Sequence, residues 1–206
     1  LGRCASRRRC VVVTLDDGPG RQMTSAVLDV LATGGVKAVF FLLGRNIRGN
    51  EDLVRRIRAQ GHEIGSHSHD HLHAWKVAPW RAVADIRRGR KAIDDALDVK
   101  GGTYPFRPPH GKLNLITWIY LLATRTPIVY WTIDSGDTWI DRPRDPDRAG
   151  RLSRERKGGV ILIHDFDRKA EEMHRYALEA LRSSLDAARE LHLPVVTYSQ
   201  LMGARK

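Results

Sequence analysis

From Cys10 to Met202 the chain alternates short β-forming runs with amphipathic helical segments, and no other feature restricts the possible folds as strongly. The predicted strands cover 11–15, 38–43, 62–66, 104–107, 128–133, 159–163 and 193–197. Apolar spacing predicts helices near 24–33, 51–60, 79–97, 113–123 and 171–191, and a loop plus a short surface helix within the polar, Arg-rich stretch 141–157. The run Ala38–Leu43 is apolar throughout, as suits a strand covered on both faces. Leu178, Leu181, Leu185 and Ala188 form one helical stripe. Repeated β-then-α units require a parallel sheet with helices outside it, either open or closed.

The placement of polar residues favours closure. Asp16 and Asp17, His67, Arg107, Asp134 and His164 all fall at the C-terminal ends of predicted strands. In a (β/α) barrel those ends converge on one mouth, whereas an open sheet spreads them along a crevice. The expected fold is therefore α/β: a single-domain distorted (β/α) barrel of seven parallel strands over 10–206, preceded by a basic extension at 1–9.

Composition narrows the partners. At 206 residues and 42% hydrophobic, the chain can bury one substantial core. Its most apolar stretch, Ile116–Ala123, broken only by Thr117, is far shorter than the ~20 residues of a membrane span. A net charge of +11 and the run Arg7-Arg8-Arg9 raise the question of a polyanion. Lys and Arg are nevertheless scattered among acids along most helices, with no basic stripe interleaved with aromatics, so a solvated basic surface is expected rather than nucleic-acid binding. Cys4 and Cys10 cannot complete a structural zinc site, and a bridge between them or two free thiols both stay open. The chain starts at Leu1, which fits removal of an upstream export signal. A secreted or envelope-associated monomer is expected, with a cytoplasmic location as the alternative.

Five short stretches could carry chemistry. In Val11-Val12-Val13-Thr14-Leu15-Asp16-Asp17-Gly18-Pro19, β-formers lead into two adjacent carboxylates, which is either a surface turn or a strand end feeding a shared site. His67-Ser68-His69-Asp70-His71 is the densest ligand candidate: with a carboxylate from elsewhere, His67 and His71 would leave an open position on zinc or a similar divalent ion. A polar loop rich in His is the alternative. Arg107-Pro108-Pro109-His110-Gly111 is rigid punctuation around one cation that could brace a carboxylate. Asp134-Ser135-Gly136-Asp137-Thr138-Trp139 and Leu162-Ile163-His164 follow further strands, and each alone could be structural.

Together and in this order, the five stretches resemble the NodB-homology polysaccharide deacetylases, family 4 of the carbohydrate esterases. The resemblance covers roughly Cys10 to Met202. It implies a divalent metal, Zn2+ or alternatively Co2+, Ni2+ or Mn2+, on Asp17, His67 and His71. It further implies Asp16 as general base braced by Arg107, and His164 as general acid oriented by Asp137. The backbone N–H of His110, which follows Pro109, would form the oxyanion hole. Trp139 and Leu162 would line the acetyl pocket, and Ser68 would position the metal loop. Three departures are visible: His110 replaces the usual aromatic, Thr138 is inserted before Trp139, and 142–156 matches no family motif.

The implied reaction is hydrolysis of acetamido groups on N-acetylglucosamine-containing glycans of chitooligosaccharide or peptidoglycan type. Alternatives are O-deacetylation of acetylxylan or a related polysaccharide, a relative acting on a small cyclic amide, and a non-catalytic glycan- or polyanion-binding module.

Overall fold

The computed structural model describes residues 5, 7, 9–139 and 144–203. Five parallel strands form one sheet in the order β3-β2-β1-β5-β4: β1 Val11–Asp16, β2 Val39–Leu42, β3 Glu63–Ser66, β4 Ile133–Asp134 and β5 Gly159–His164. Beyond β3, parallel bridges join Ser66 to Phe106 and Phe106 to Ile128. The segment 128–134 therefore pairs with Phe106 at its start and with β5 at its end, through Ile133 and Ile161, and closes an irregular ring. A further parallel bridge joins Val195 to Val11.

Of the seven expected strands, those at 104–107 and 193–197 thus shrink to isolated bridges, and the fifth keeps a bridge at Ile128 and a two-residue ladder at Ile133–Asp134. Pro105, Pro127 and Pro194 explain this, since a residue without an N–H cannot extend a ladder.

The helices among the described residues are α1 Met23–Thr33, α2 Gly44–Ile47, α3 Glu51–Ala59, α4 Pro79–Leu97, α5 Leu115–Ala123, α6 Arg148–Arg156, α7 Glu171–Glu190 and α8 Tyr198–Gly203. Pro79 occupies the first turn of α4, and Asp98 ends that helix with φ +52°. A capping box between Asn114 and Thr117 starts α5. The segment 141–157 supplies α6, and its first residues lie outside the described ones, as does Cys4. Ala5, within the stretch read as an extension, is buried, and its carbonyl accepts from the Cys10 N–H at 3.0 Å.

The period-2 alternation of the strands sorts the core into two faces. Val11, Val13 and Leu15 point outward and pack with Val27, Leu28 and Leu31 of α1 and Leu181 and Leu185 of α7. Val12 points into the ring with Val39, Phe41, Val129 and Val160. By the same parity Thr14 and Asp16 face inward, as Leu162 and His164 do, and the register pairs Thr14 with Leu162 and Asp16 with His164. The inner row therefore changes from apolar to reactive as it approaches the mouth.

Two loops meet tightly there. A Cβ on Gly18 would stand 2.4 Å from Asp165 Oδ2, and one on Gly20 would stand 2.5 Å from the Asp167 backbone nitrogen. Asp167 accepts from the N–H groups of Gln22 and Met23 at 3.0 and 2.8 Å, capping α1 from across the mouth. Gly18→Ala is expected to cost about 1–3 kcal/mol in denaturant unfolding, as an overpacked contact does, because the Asp165 carboxyl has no space to retreat. An unchanged midpoint would show that the two loops separate freely.

Candidate active site

Asp17 follows β1 with φ +69°, a left-handed turn that an Asp side chain tolerates. Asp16 points into the ring by strand parity, and the turn brings Asp17 round beside it. Both carboxylates reach His67: its Nε2 lies 3.5 Å from Asp17 Oδ1 and 3.8 Å from Asp16 Oδ2. His71 Nε2 lies 3.5 Å from the same Asp17 Oδ1, which is buried without a hydrogen-bond partner.

His67 Nδ1 lies 2.7 Å from the Arg107 carbonyl, which can only accept, so Nδ1 carries the proton and donates. The Nε2 lone pair is thereby aimed at Asp17, the arrangement a ligating histidine requires. Burial pulls the pKa of His67 down to about 3 against the pull of Asp17, and burial also lowers that of His71, so both rings are neutral at pH 7.

Two donors about 2.0–2.1 Å from a tetrahedral zinc stand about 3.4 Å apart, close to the separations from Asp17 Oδ1 to the two rings. Asp17, His67 and His71 fit a divalent metal by their chemistry, their spacing and the otherwise orphaned oxygen.

The loop bearing these histidines is held from α4. Buried Asp85 accepts from the N–H groups of Asp70 and His69 at 3.0 and 3.4 Å, and Gly89 leaves room for the Ser68 carbonyl. Ser68 has φ +69° and a buried hydroxyl, and its carbonyl accepts from the Gly44 N–H at 3.0 Å. Asp85 was not singled out from the sequence, although it is the one acid on the inward stripe Ala82, Ile86, Gly89 and Ile93 of α4.

Arg107 is fully buried and binds Asp16 Oδ1 through Nη1 at 2.7 Å. The same nitrogen donates to Thr14 Oγ1 at 2.7 Å, and Nε donates to the Val129 carbonyl at 3.2 Å. Its guanidinium lies 4.3 Å from the Phe41 ring centre, and a Cβ on Gly65 would stand 2.5 Å from that ring. Burial pushes the Asp16 carboxyl above its ordinary range against the pull of Arg107 and His164. A raised carboxylate is a stronger base.

Across the mouth, His164 Nδ1–H donates to Asp137 Oδ1 at 2.9 Å, and the His164 backbone N–H donates to Oδ2 at 3.0 Å. Arg168 donates to Oδ2 at 2.6 Å and Ser135 to Oδ1 at 2.8 Å. Burial pushes the Asp137 carboxyl up, but His164 and Arg168 together hold it well below the carboxylate range. Burial pulls His164 down, yet Asp137, with smaller help from Asp17 and Asp16, lifts it to about 9.

At neutral pH His164 is therefore an imidazolium able to give up a proton at Nε2. The raised value also means that its stabilising contribution is complete below pH ~6.5 and is lost as pH rises through about 9. In Asp137→Asn, the ring titration followed by NMR in metal-free protein is expected to fall below the ordinary 6.5. Burial then loses its main opponent. A titration still near 9 would assign the shift to Asp16 and Asp17.

These groups surround a cavity of about 320 Å³, also lined by Pro108, His110, Trp131, Asp134, Thr138, Leu162 and Phe166. A larger cleft of about 430 Å³ around Arg58 and Tyr104 holds no such ligand set. Leu162 is one of the residues that line this cavity. The Trp139 ring instead lies 4.6 Å from the Arg148 guanidinium and against Gly136, and Trp131 and Thr138 form that part of the wall. Pro109 is buried behind Pro108, and His110 follows with φ +55°. The His110 ring stands 4.4 Å from that of His71 and 4.9 Å from that of His73. Arg168 and Trp131 were not singled out from the sequence. Trp131 alternates with inward Val129, a usable signal, whereas Arg168 lies in a loop without periodicity.

Residues 4–129 match the family model described as polysaccharide deacetylase. The peptidoglycan-N-acetylglucosamine deacetylase PgdA of Listeria monocytogenes is 31% identical over 203 residues, 98% of this chain and 40% of that protein. The chain thus spans about two-fifths of that relative's length. A chitooligosaccharide deacetylase of Bradyrhizobium sp. is 31% identical, over 81% of this chain and 75% of its own. The solved family 4 carbohydrate esterase from Streptomyces lividans superposes with a TM-score of 0.77 at 28% identity, covering 94% of this chain and 95% of its own. With the five motifs gathered at one mouth of a parallel α/β ring and the family model matching more than half of its length, the chain belongs to the polysaccharide deacetylase family.

Proposed function

We propose that the chain hydrolyses the acetamido groups of N-acetylglucosamine residues in chitooligosaccharide- or peptidoglycan-type glycans, releasing acetate and leaving a free amine. The observation that carries this reading is an acid–base pair flanking one ligand triad: Asp16 on Arg107 at one side, protonated His164 on Asp137 at the other. The names of the relatives support an N-acetylated glycan.

Asp17, His67 and His71 would hold a divalent metal, zinc in this reading with cobalt, nickel or manganese as alternatives, which would supply Lewis acidity toward the attacking water and the amide carbonyl. Asp16 takes the proton of the attacking water, and Arg107 fixes the carboxylate that receives it. The backbone N–H of His110, held behind Pro108 and Pro109, donates to the developing oxyanion. As the carbon–nitrogen bond breaks, His164 Nε2 protonates the departing amine, while Asp137 and Arg168 keep its ring in place. Leu162 and Trp131 bound the acetyl methyl, Trp139 supports that wall from behind through Gly136, and Ser68 shapes the metal loop. Among the described residues no helix is long and apolar enough to cross a membrane. We place the activity outside the cytoplasm, on envelope glycan, in a monomer.

Acetate release by zinc-loaded protein from chitooligosaccharides, peptidoglycan and acetylxylan tests the proposal. Release from the N-acetylated glycans is expected. Release from acetylxylan alone would make the chain an O-deacetylase, and glycan binding without acetate would make it a binding module.

A further inference from the structure

Helix α5 is apolar on both of its sides. Thr117 and Leu121 face inward, where Leu121 packs with Ile86 and Phe106. Leu115, Ile116, Trp118, Ile119 and Leu122 are 47–67% exposed. Single exposed apolar residues are ordinary, but a contiguous face of five in nine residues marks a contact surface.

Trp75 extends this face. It is 64% exposed, and its Nε1–H donates to the Leu113 carbonyl at 2.8 Å, so its polar atom is satisfied and its ring is fixed beside the start of α5. The neighbouring Asn114 donates to the Ala74 carbonyl at 2.9 Å, fastening the two segments together.

The charge around this face has one sign. No Asp or Glu occurs from 71 to 84 or from 99 to 133, the two stretches that supply it, although the chain carries 24 acids. Lys112 and Arg125 bracket α5, and the Lys112 ammonium lies 4.6 Å from the Trp75 ring centre.

We infer that α5 and Trp75 form a peripheral docking face for an anionic lipid bilayer. Nine residues cannot span a bilayer, so the helix lies in the plane of the interface, its outward side chains in the headgroup–acyl boundary. Tryptophan suits that depth, and Lys112 and Arg125 meet the lipid phosphates. A second copy of the chain is the poorer occupant. A symmetric contact would set a basic, acid-free face against itself, in a chain of net charge +11. Three residues separate the turn Pro109–Gly111 from α5, so docking also holds the catalytic mouth beside the membrane surface.

Co-sedimentation of the full chain with phosphatidylcholine vesicles, with and without phosphatidylglycerol, tests this, with tryptophan fluorescence as a second readout. Wild type is expected to partition onto the anionic vesicles with a blue shift and to bind the neutral ones weakly. The exposed triple variant Leu115→Gln, Ile119→Gln, Leu122→Gln should lose at least tenfold in partitioning while its melting temperature and acetate release from a short soluble oligosaccharide stay unchanged. Lys112→Glu and Arg125→Glu should each lower binding to anionic vesicles about fivefold or more and leave neutral vesicles unaffected. Failure to bind anionic vesicles, equal binding to both compositions, or a triple variant that binds like wild type would each overturn the inference. So would a concentration-dependent dimer by sedimentation equilibrium that the triple variant abolishes, since the face would then be a self-interface.

Discussion

Asp16→Asn is expected to lower kcat/KM for acetate release by ~10²–10⁴-fold and to leave zinc binding in place. The amide nearly reproduces the shape of the carboxylate but cannot accept the proton of the attacking water. Asp16 stands 3.8 Å from His67 Nε2, while Asp17 supplies the ligand atom, so loss of the base need not disturb the triad. The variant also leaves the fully buried Arg107 without its counter-charge, and breaking such a pair costs about 3–5 kcal/mol. Thr14 and the Val129 carbonyl retain part of its hydrogen bonding. Activity should therefore be compared well below the melting temperature, with the zinc-induced shift as the control for an intact site. Acetate release at the wild-type rate with that shift preserved would remove Asp16 from the chemistry.

Asp17→Ala is expected to abolish acetate release together with the response to zinc. At a zinc concentration a hundred times its dissociation constant, the wild-type fold gains about 2.7 kcal/mol. For a chain of 206 residues that corresponds to a rise of about 5–10 °C in Tm. Wild type stripped by a chelator should lose both properties and regain both on zinc addition, whereas Asp17→Ala should regain neither. The orphaned Asp17 Oδ1, 3.5 Å from two neutral imidazoles, is the structural basis of that expectation. A variant that loses the thermal shift but still releases acetate would separate the metal from the reaction.

Much of the fold was legible because the core elements obey simple periods. The helix expected over 79–97 has those limits in the structure, bounded by a proline in its first turn and a left-handed Asp98. The strand expected over 11–15 runs one residue further, to Asp16. The expected ladders at 104–107, 128–133 and 193–197 are shortened for a local reason. Each contains or directly follows a proline; Phe106 holds its place by two isolated bridges, and Ile128 and Val195 by one each. Helices α2 and α8 escaped because four and six residues are too few to display a helical period.

The site divides along a similar line. Asp16, Asp17, His67, Arg107 and His164 were visible because their side-chain types fall at strand ends, which the parallel topology gathers at one mouth. Arg168 and Asp85 were missed because their roles come from partners 15 or more positions away, Asp137 for one and the His69–Asp70 backbone for the other, whereas Trp131 was passed over despite its alternation with Val129.

What the sequence by itself determined is the set of groups available at the mouth, since side-chain chemistry and strand parity are local properties. Which of those groups carry a proton was decided by the tertiary structure alone. Asp16 is raised by burial, His67 is neutral with its proton on Nδ1, and His164 is charged through Asp137. Those states depend on distance in space and on exclusion of water, and neither quantity is written in the order of residues along the chain.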